Sequence, residues 1–259
     1  MKKAIKLLGL LMAMLVIVAS FAACGGSDTD LDYVRDKGTL VIGITEYEPM
    51  DYKENGEWVG FDAEFAKLVA EKLGVKAEFI EIDWDNKYFE LKSKAIDCIW
   101  NGLTITDEAK ANASISDAYV KNAQVVVMKK DALEAYTDAA SIKDLKISVE
   151  KGSAGDKIAA EIGATNVTAV DYQSTALMEV NSGAADACII DITMAKAMTG
   201  EGTSYSELGF ALELSTEEYG IAFRTGSDLT EKVNEIMADL KKDGTLKALA
   251  EKYSLNITD

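Results

Sequence analysis

Residues 104 to 112 read TITDEAKAN, a stretch in which Thr106 stands directly before Asp107, Glu108 and a run of helix-favouring residues. That spacing makes Thr106 an N-cap. Its hydroxyl takes one of the backbone N–H groups that a first helical turn leaves unpaired, and the acidic side chains complement the positive helix end. The remaining free N–H groups suit an anion. Ser153 sits in a Gly152-Ser153-Ala154-Gly155 turn whose glycines account for much of its conformation. Metal chemistry has little to draw on. The chain has no histidine and no Cys-x-x-Cys, so zinc and copper sites lack their usual ligands, and no Asp spacing ends in Glu as calcium loops require. No cofactor is implied. Cys98 and Cys188 each lie inside an apolar run, AIDCIW and ADACII, and read as core thiols in different strands rather than as a disulfide.

A third cysteine has a different setting. Lys2, Lys3 and Lys6 precede an apolar run from Leu7 to Ala19, and small residues lead up to Ala22-Ala23-Cys24. Residues 1–23 therefore read as a secretory signal peptide. Phe21-Ala22-Ala23-Cys24 resembles a bacterial lipobox, which makes Cys24 the acylated first residue of the mature chain and 24–30 a short flexible tether. The expected location is outside the cell, anchored by lipid to the outer face of the membrane. The 259 residues are 48% hydrophobic and 27% charged, enough for one or two domains with real cores. A formal net charge of -17 argues against nucleic acid as a partner.

The elements behind these residues alternate between strand and helix. Thr39 to Ile44 (TLVIGI), 76 to 82 (KAEFIEI) and Ile96 to Trp100 read as strands. Between the first two, Asp62 is placed to cap a helix with apolar positions Phe65, Leu68, Val69 and Leu73 that stops at Gly74. Tyr88 to Lys94 reads as a further helix. The same grammar recurs at Lys146 to Val149, Asp156 to Ile162, Val167 to Val170, Ser174 to Ser182 and Asp186 to Ile190. This is an α/β pattern. Two amphipathic helices close the chain, around Val233 to Leu240 and Leu246 to Tyr253.

The ordered series GTLVIGI, YEPMDY, WVGFDAEFAKLVAEKLGV, IDCIWNGLTIT, QVVVMKK, DLKISVEKGSAG, ADACIID, EEYGIAF and DGTLKALAEKY resembles the polar amino-acid solute-binding proteins of ABC importers. The resemblance implies an α/β, two-lobed type II periplasmic-binding fold, with lobe 1 from 31–121 plus 220–259, lobe 2 from 122–219, and hinge strands near 122 to 126 and 218 to 222. It implies a monomer that passes an amino acid or related amine-bearing solute to a membrane permease. The ligand would sit between the lobes, beyond the carboxyl ends of the strands. Carried over by position, the contacts are Glu46 and Tyr47 from the first loop, Trp84 as a side wall, Asn101, Gly102 and Thr104 from the strand before TITDEAKAN, Ser153 and Ala154 from the second lobe's turn, and Asp191 for the ligand ammonium. The alternatives are an exported enzyme like cyclohexadienyl dehydratase on the same fold, or a ligand-sensing module. An enzyme would need a poised acid and a group for substrate carboxylates, and the chain has no histidine and no arginine placed for the cleft.

Each contact has a bland counterpart. Tyr47 and Trp84 equally suit core aromatics, Asp191 equally suits a helix cap, and Thr104 equally suits a strand end. One position departs from the pattern. Family members that hold an α-carboxylate carry arginine at the fourth position of Thr-x-x-Arg, and here that residue is Ala109. The only arginines are Arg35 and Arg224, and Lys110 points elsewhere around the helix.

Overall fold

The computed structural model describes residues 29–258; the signal peptide, Cys24 and the first part of the tether lie outside the described residues. The first helix, α1 (Asp30–Lys37), is capped by the Thr29 hydroxyl and ends at Gly38 in the left-handed region. β1 (Thr39–Ile44) follows, then a short antiparallel hairpin of β2 (Tyr52–Glu54) and β3 (Glu57–Val59) that the sequence pattern had not marked. α2 (Phe61–Leu73) turns Phe61, Phe65, Val69 and Leu73 inward at helical spacing, and Phe65 meets Trp100 edge-on at 4.8 Å between ring centroids. After it come β4 (Lys76–Glu81), a 3₁₀ turn (Trp84–Asn86), α3 (Lys87–Lys92), β5 (Cys98–Thr104) and α4 (Asp107–Asn112). β6 (Ser114–Ile115) and β7 (Val120–Asn122) are short edge pieces.

The chain then enters a second sheet through β8 (Gln124–Lys129). Its remaining elements are α5 (Ala139–Ile142), β9 (Lys146–Glu150), α6 (Ala154–Glu161), β10 (Asn166–Val170), α7 (Gln173–Ser182), β11 (Ala187–Asp191), α8 (Ile192–Met198) and β12 (Leu208–Glu213). β13 (Glu217–Phe223) returns to the first sheet, and α9 (Leu229–Lys242) and α10 (Thr245–Lys252) pack on it and on α2. The first sheet runs β4-β1-β5-β13-β6 with β7 also on β13; the second runs β10-β9-β11-β8-β12. In each, the first three strands of that order are parallel, as βαβ connections require, and the fourth, β13 in the first sheet and β8 in the second, is antiparallel to its neighbour. The result is two α/β lobes.

The crossings between lobes are Ala123 and residues 214–216. The second therefore precedes the segment near 218 to 222 expected from sequence. β13 is committed to the first sheet from its first residue, through Glu217 opposite Asn122 and Tyr219 opposite Thr104. A second difference concerns Asp62. The cap position of α2 belongs to Gly60, and Asp62 is instead buried, accepting from the Gly102 N–H at 2.7 Å and the Tyr119 hydroxyl at 2.8 Å. Burial pushes its pKa up to about 7. Cys98 and Cys188 are buried free thiols in β5 and β11, in separate sheets.

Candidate functional site

The carboxyl ends of β1, β5, β9 and β11 converge on a cleft of about 550 Å³, mouth included, between the two sheets. Its walls include Tyr47, Trp84, Asn101, Gly102, Thr104, Ser153, Ala154 and Asp191, eight of the nine positions carried over in the sequence reading. Glu46 is the exception. It is exposed and forms no part of the wall, because the chain leaving β1 turns Tyr47 inward and Glu46 outward.

Tyr47 is held by its own loop. Its N–H donates to the Asp51 carbonyl, and its carbonyl accepts from Met50 and Asp51. Gly60 lets the next segment close over that loop: at φ +116°, a Cβ there would lie 2.2 Å from the Met50 carbonyl oxygen. Gly102, at φ +58°, gives the Tyr47 ring its seat, since a Cβ would stand 2.6 Å from the ring edge. Asn101 lines the cleft, but its amide is committed elsewhere. It donates to Asp51 at 2.7 Å and to the Thr45 carbonyl at 3.0 Å, and its oxygen accepts from the Thr45 hydroxyl. Thr104 donates to Glu217 at 3.1 Å. Thr106 caps α4 by accepting from the Ala109 N–H at 3.0 Å, and Ser153 caps α6 by accepting from the Asp156 N–H at 3.2 Å.

Asp191 forms one pole of the cleft. It stands at the start of α8 but makes no side-chain cap there. Instead Oδ1 accepts from Asn122, from Gln124 at 2.8 Å and from the Tyr219 hydroxyl at 2.8 Å, while Oδ2 accepts only from Gln173, at 2.5 Å. A carboxylate oxygen takes two donors readily, so Oδ2 keeps a lone pair for something in the cleft. Burial, and then the charge of Glu217, push its pKa up to about 6.

Lys87 also lines the cleft and is buried with its ammonium 3.0 Å from both the Trp84 and the Gly152 carbonyl oxygens, and over the Trp84 ring at 4.7 Å from the centroid. Burial holds its pKa below the usual lysine value. Glu150, at the end of β9, is buried beside the cleft; burial first, and then the Asp191 charge, push its pKa up to about 8. Lys87, Glu150 and Gln173 were not marked in the sequence, where each stands beside other polar residues. Ala109 is wholly buried and off the cleft wall, and Arg224 is taken up by Asp30, Asp97 and the Ile96 carbonyl. The two lobes touch around the cleft: Tyr47 meets Thr193, Lys151 pairs with Asp85 at 2.9 Å, and the Tyr172 hydroxyl donates to Glu81 at 3.2 Å. The conformation is closed.

Residues 40–256 match the profile of the bacterial extracellular solute-binding proteins, family 3. The chain belongs to this family. Among its relatives is the arginine-binding extracellular protein ArtP of Bacillus subtilis, 32% identical over 94% of this chain and 96% of that one. The L-cystine-binding protein TcyJ of Escherichia coli is 31% identical over 86% of this chain and 85% of its own length. A crystal structure of the ancestral amino acid-binding protein AncCDT-1, a precursor of cyclohexadienyl dehydratase, matches with a TM-score of 0.80 and 31% identity over 87% of this chain and 99% of that chain. As family members these are exported solute-binding proteins of amino-acid transport, and the curated relatives are named for binding rather than for catalysis.

Proposed function

We propose that this family 3 protein is anchored by lipid at Cys24, closes on an amino acid in the cleft between its lobes, and hands it to an ABC permease. The observation that carries the reading is Asp191: a buried carboxylate lining the cleft, held on one oxygen by three donors, with acceptor capacity left on the other. An ammonium is the group that such an acceptor suits. The aromatic faces of Tyr47 and Trp84 supply apolar walls beside it, and relatives named for arginine and cystine support an amino acid as the cargo. Closure would occur about Ala123 and 214–216, where the chain crosses between sheets.

The test is a thermal-shift and calorimetric screen of the mature protein against L-arginine, L-cystine and L-histidine. A ligand present at a hundred times its Kd stabilises the bound form by about 2.7 kcal/mol, which is a readable rise in melting temperature. No stabilisation by any amino acid would overturn the reading. One observation supports a second one: Glu150, with its pKa up to about 8, is a carboxylic acid that keeps its proton in the cleft at neutral pH, as a dehydratase needs for a departing hydroxyl. Product formation from prephenate in the same screen would favour it. The anchor has its own test. Cys24→Ser should move the protein entirely from the membrane fraction to the soluble one, and a variant that stays with membranes would point to a signal anchor.

A further inference from the structure

The amino-acid reading leaves a question that the geometry answers: what meets the ligand's carboxylate when position 109 carries no charge? Lys87 is the one lysine among the described residues that is buried, and it lines the cleft. Its position follows from the 3₁₀ turn Trp84–Asn86, which precedes α3, and its ammonium lies over the Trp84 ring at 4.7 Å and the Tyr88 ring at 5.1 Å from the centroids. Two carbonyl oxygens fix the ammonium, one from each lobe: Trp84 and Gly152. An ammonium has three N–H donors, so one is left over. Lys87 forms no ion pair among the described residues; the acidic groups that bear on it, Glu108, Glu150, Asp85 and Asp83, act only at longer range. Glu150 is itself largely protonated at neutral pH. A buried ammonium held by two neutral carbonyls, with no counterion in contact, is an expensive arrangement for stability alone. It is the arrangement that a binding site for an anionic group calls for.

We propose that Lys87 is the carboxylate anchor of the cleft, so that a zwitterionic amino acid is held with its ammonium at Asp191 and its carboxylate at Lys87. This rests on the amino-acid reading above. The anchor differs from a guanidinium in kind: it is a point charge with one free donor, where arginine offers a planar fork. Its site is assembled by closure, because the Gly152 carbonyl comes from the second lobe. Carboxylate binding and the closed conformation therefore support each other. A ligand whose carboxylate draws the ammonium toward it also strengthens the pole at which the lobes meet.

The experiment compares matched probes that differ only in the carboxylate: L-arginine with agmatine, L-histidine with histamine, and L-cystine with cystamine. Each pair is titrated into the wild-type protein, Lys87→Met and Lys87→Arg. The expected result is that Lys87→Met lowers the ratio of amino-acid to amine affinity by more than tenfold, and that Lys87→Arg restores part of it. A latch or packing role would weaken both members of a pair alike and leave the ratio unchanged, and that result overturns the proposal. So does a wild-type protein that binds the amine as tightly as the amino acid. If the wild-type protein binds none of the six, it is the amino-acid reading that has failed. If it binds an amino acid and Lys87→Met does not change the ratio, only the anchor has. Melting temperatures of the unliganded variants verify folding, and a folded Lys87→Arg that binds keeps the comparison decisive if Lys87→Met is unstable.

Discussion

Asp191→Ala should weaken binding of an amino-acid ligand by roughly 30- to 4,000-fold, the equivalent of about 2 to 5 kcal/mol for removing one partner of a buried, hydrogen-bonded charge pair. Isothermal titration with the amino acid found in the screen measures it. The size of the loss follows from the surroundings. Asn122, Gln124, Gln173 and Tyr219 all donate to this carboxylate, so the ligand's ammonium meets a negative charge already oriented and dry. Removing the carboxylate leaves the ammonium without its anion. It also frees the donors unequally. Asn122 and Gln124 keep Glu217 at 3.0 and 3.1 Å, Tyr219 keeps Tyr47 and Thr193, and Gln173 keeps only Glu150. The fold should therefore survive the change. Asp191→Asn gives the sharper control: it preserves shape but turns an N–H toward either Gln173 or the incoming ammonium, and should lose nearly as much. Unchanged affinity in both variants would remove Asp191 as the amine acceptor and transfer attention to Glu150.

How much of this could be read from the sequence depends on whether a residue's surroundings are local. β1 was legible because TLVIGI is a continuous apolar run, the pattern of a parallel strand buried on both faces, and its burial bears that out. The helix start at Thr106 was legible because a cap acts within three residues, whereas Ser153, read as part of a turn before a helix from Asp156, caps a helix that already begins at Ala154. β12 was not, since it is an edge strand, half exposed, with one bulge in its pairing to β8. The site divides in the same way. Thr104 and Asp191 stand at strand ends and Tyr47 in the loop that follows one, and the alternation of strand and helix already points those ends at one another. Glu46, one residue from Tyr47, failed because a loop's inward and outward faces are set by hydrogen bonds such as Tyr47 to Asp51 that no periodicity encodes.

Ala109 is the instructive case. Read along the chain, the position lacks a cation, and the neighbouring candidates are Arg35, Arg224 and Lys110. Arg35 and Lys110 are exposed, and Arg224 is consumed by Asp30 and Asp97. The buried cation in the cleft arrives from twenty-odd residues earlier, through a 3₁₀ turn that single-residue patterns do not announce. Gln173 and Glu150 are hidden for the same reason. On sequence each defaults to a solvent-facing polar residue, whereas in the folded chain both are buried beside Asp191.

Glu150 supplies the second large effect, and its sign is fixed by linkage. Its folded pKa, up to about 8, stands above the ordinary 4.5, so the folded protein holds that proton more tightly than the unfolded chain does. The stability from this source is fully present below pH 4.5 and is lost as pH rises toward about 8. Asp191, up to about 6, and Asp62, up to about 7, act in the same direction over lower windows. Lys87, lowered by burial, opposes them. The difference between the wild-type and Glu150→Gln stability curves therefore reports Glu150 together with its coupling to Asp191 and Lys87. Glu150→Gln, which mimics the protonated acid without the titration, should lie closest to the wild-type protein near pH 4.5 and exceed it in melting temperature by several degrees at pH 9, with the gap opening from about pH 4.5 and levelling off above about 8. Thermal melts of the ligand-free proteins across that range measure it. Binding adds a second readout. An amino acid whose ammonium enters beside Glu150 in the cleft favours ionised Glu150, so at pH 7, below that raised pKa, binding should release a proton to buffer. Titration in two buffers of different ionisation enthalpy detects the release, and Glu150→Gln should reduce it. Parallel melting curves for the two proteins from pH 5 to 9 would mean that the buried carboxyl ionises as freely as an exposed one, and would withdraw Glu150 from the electrostatics of the cleft.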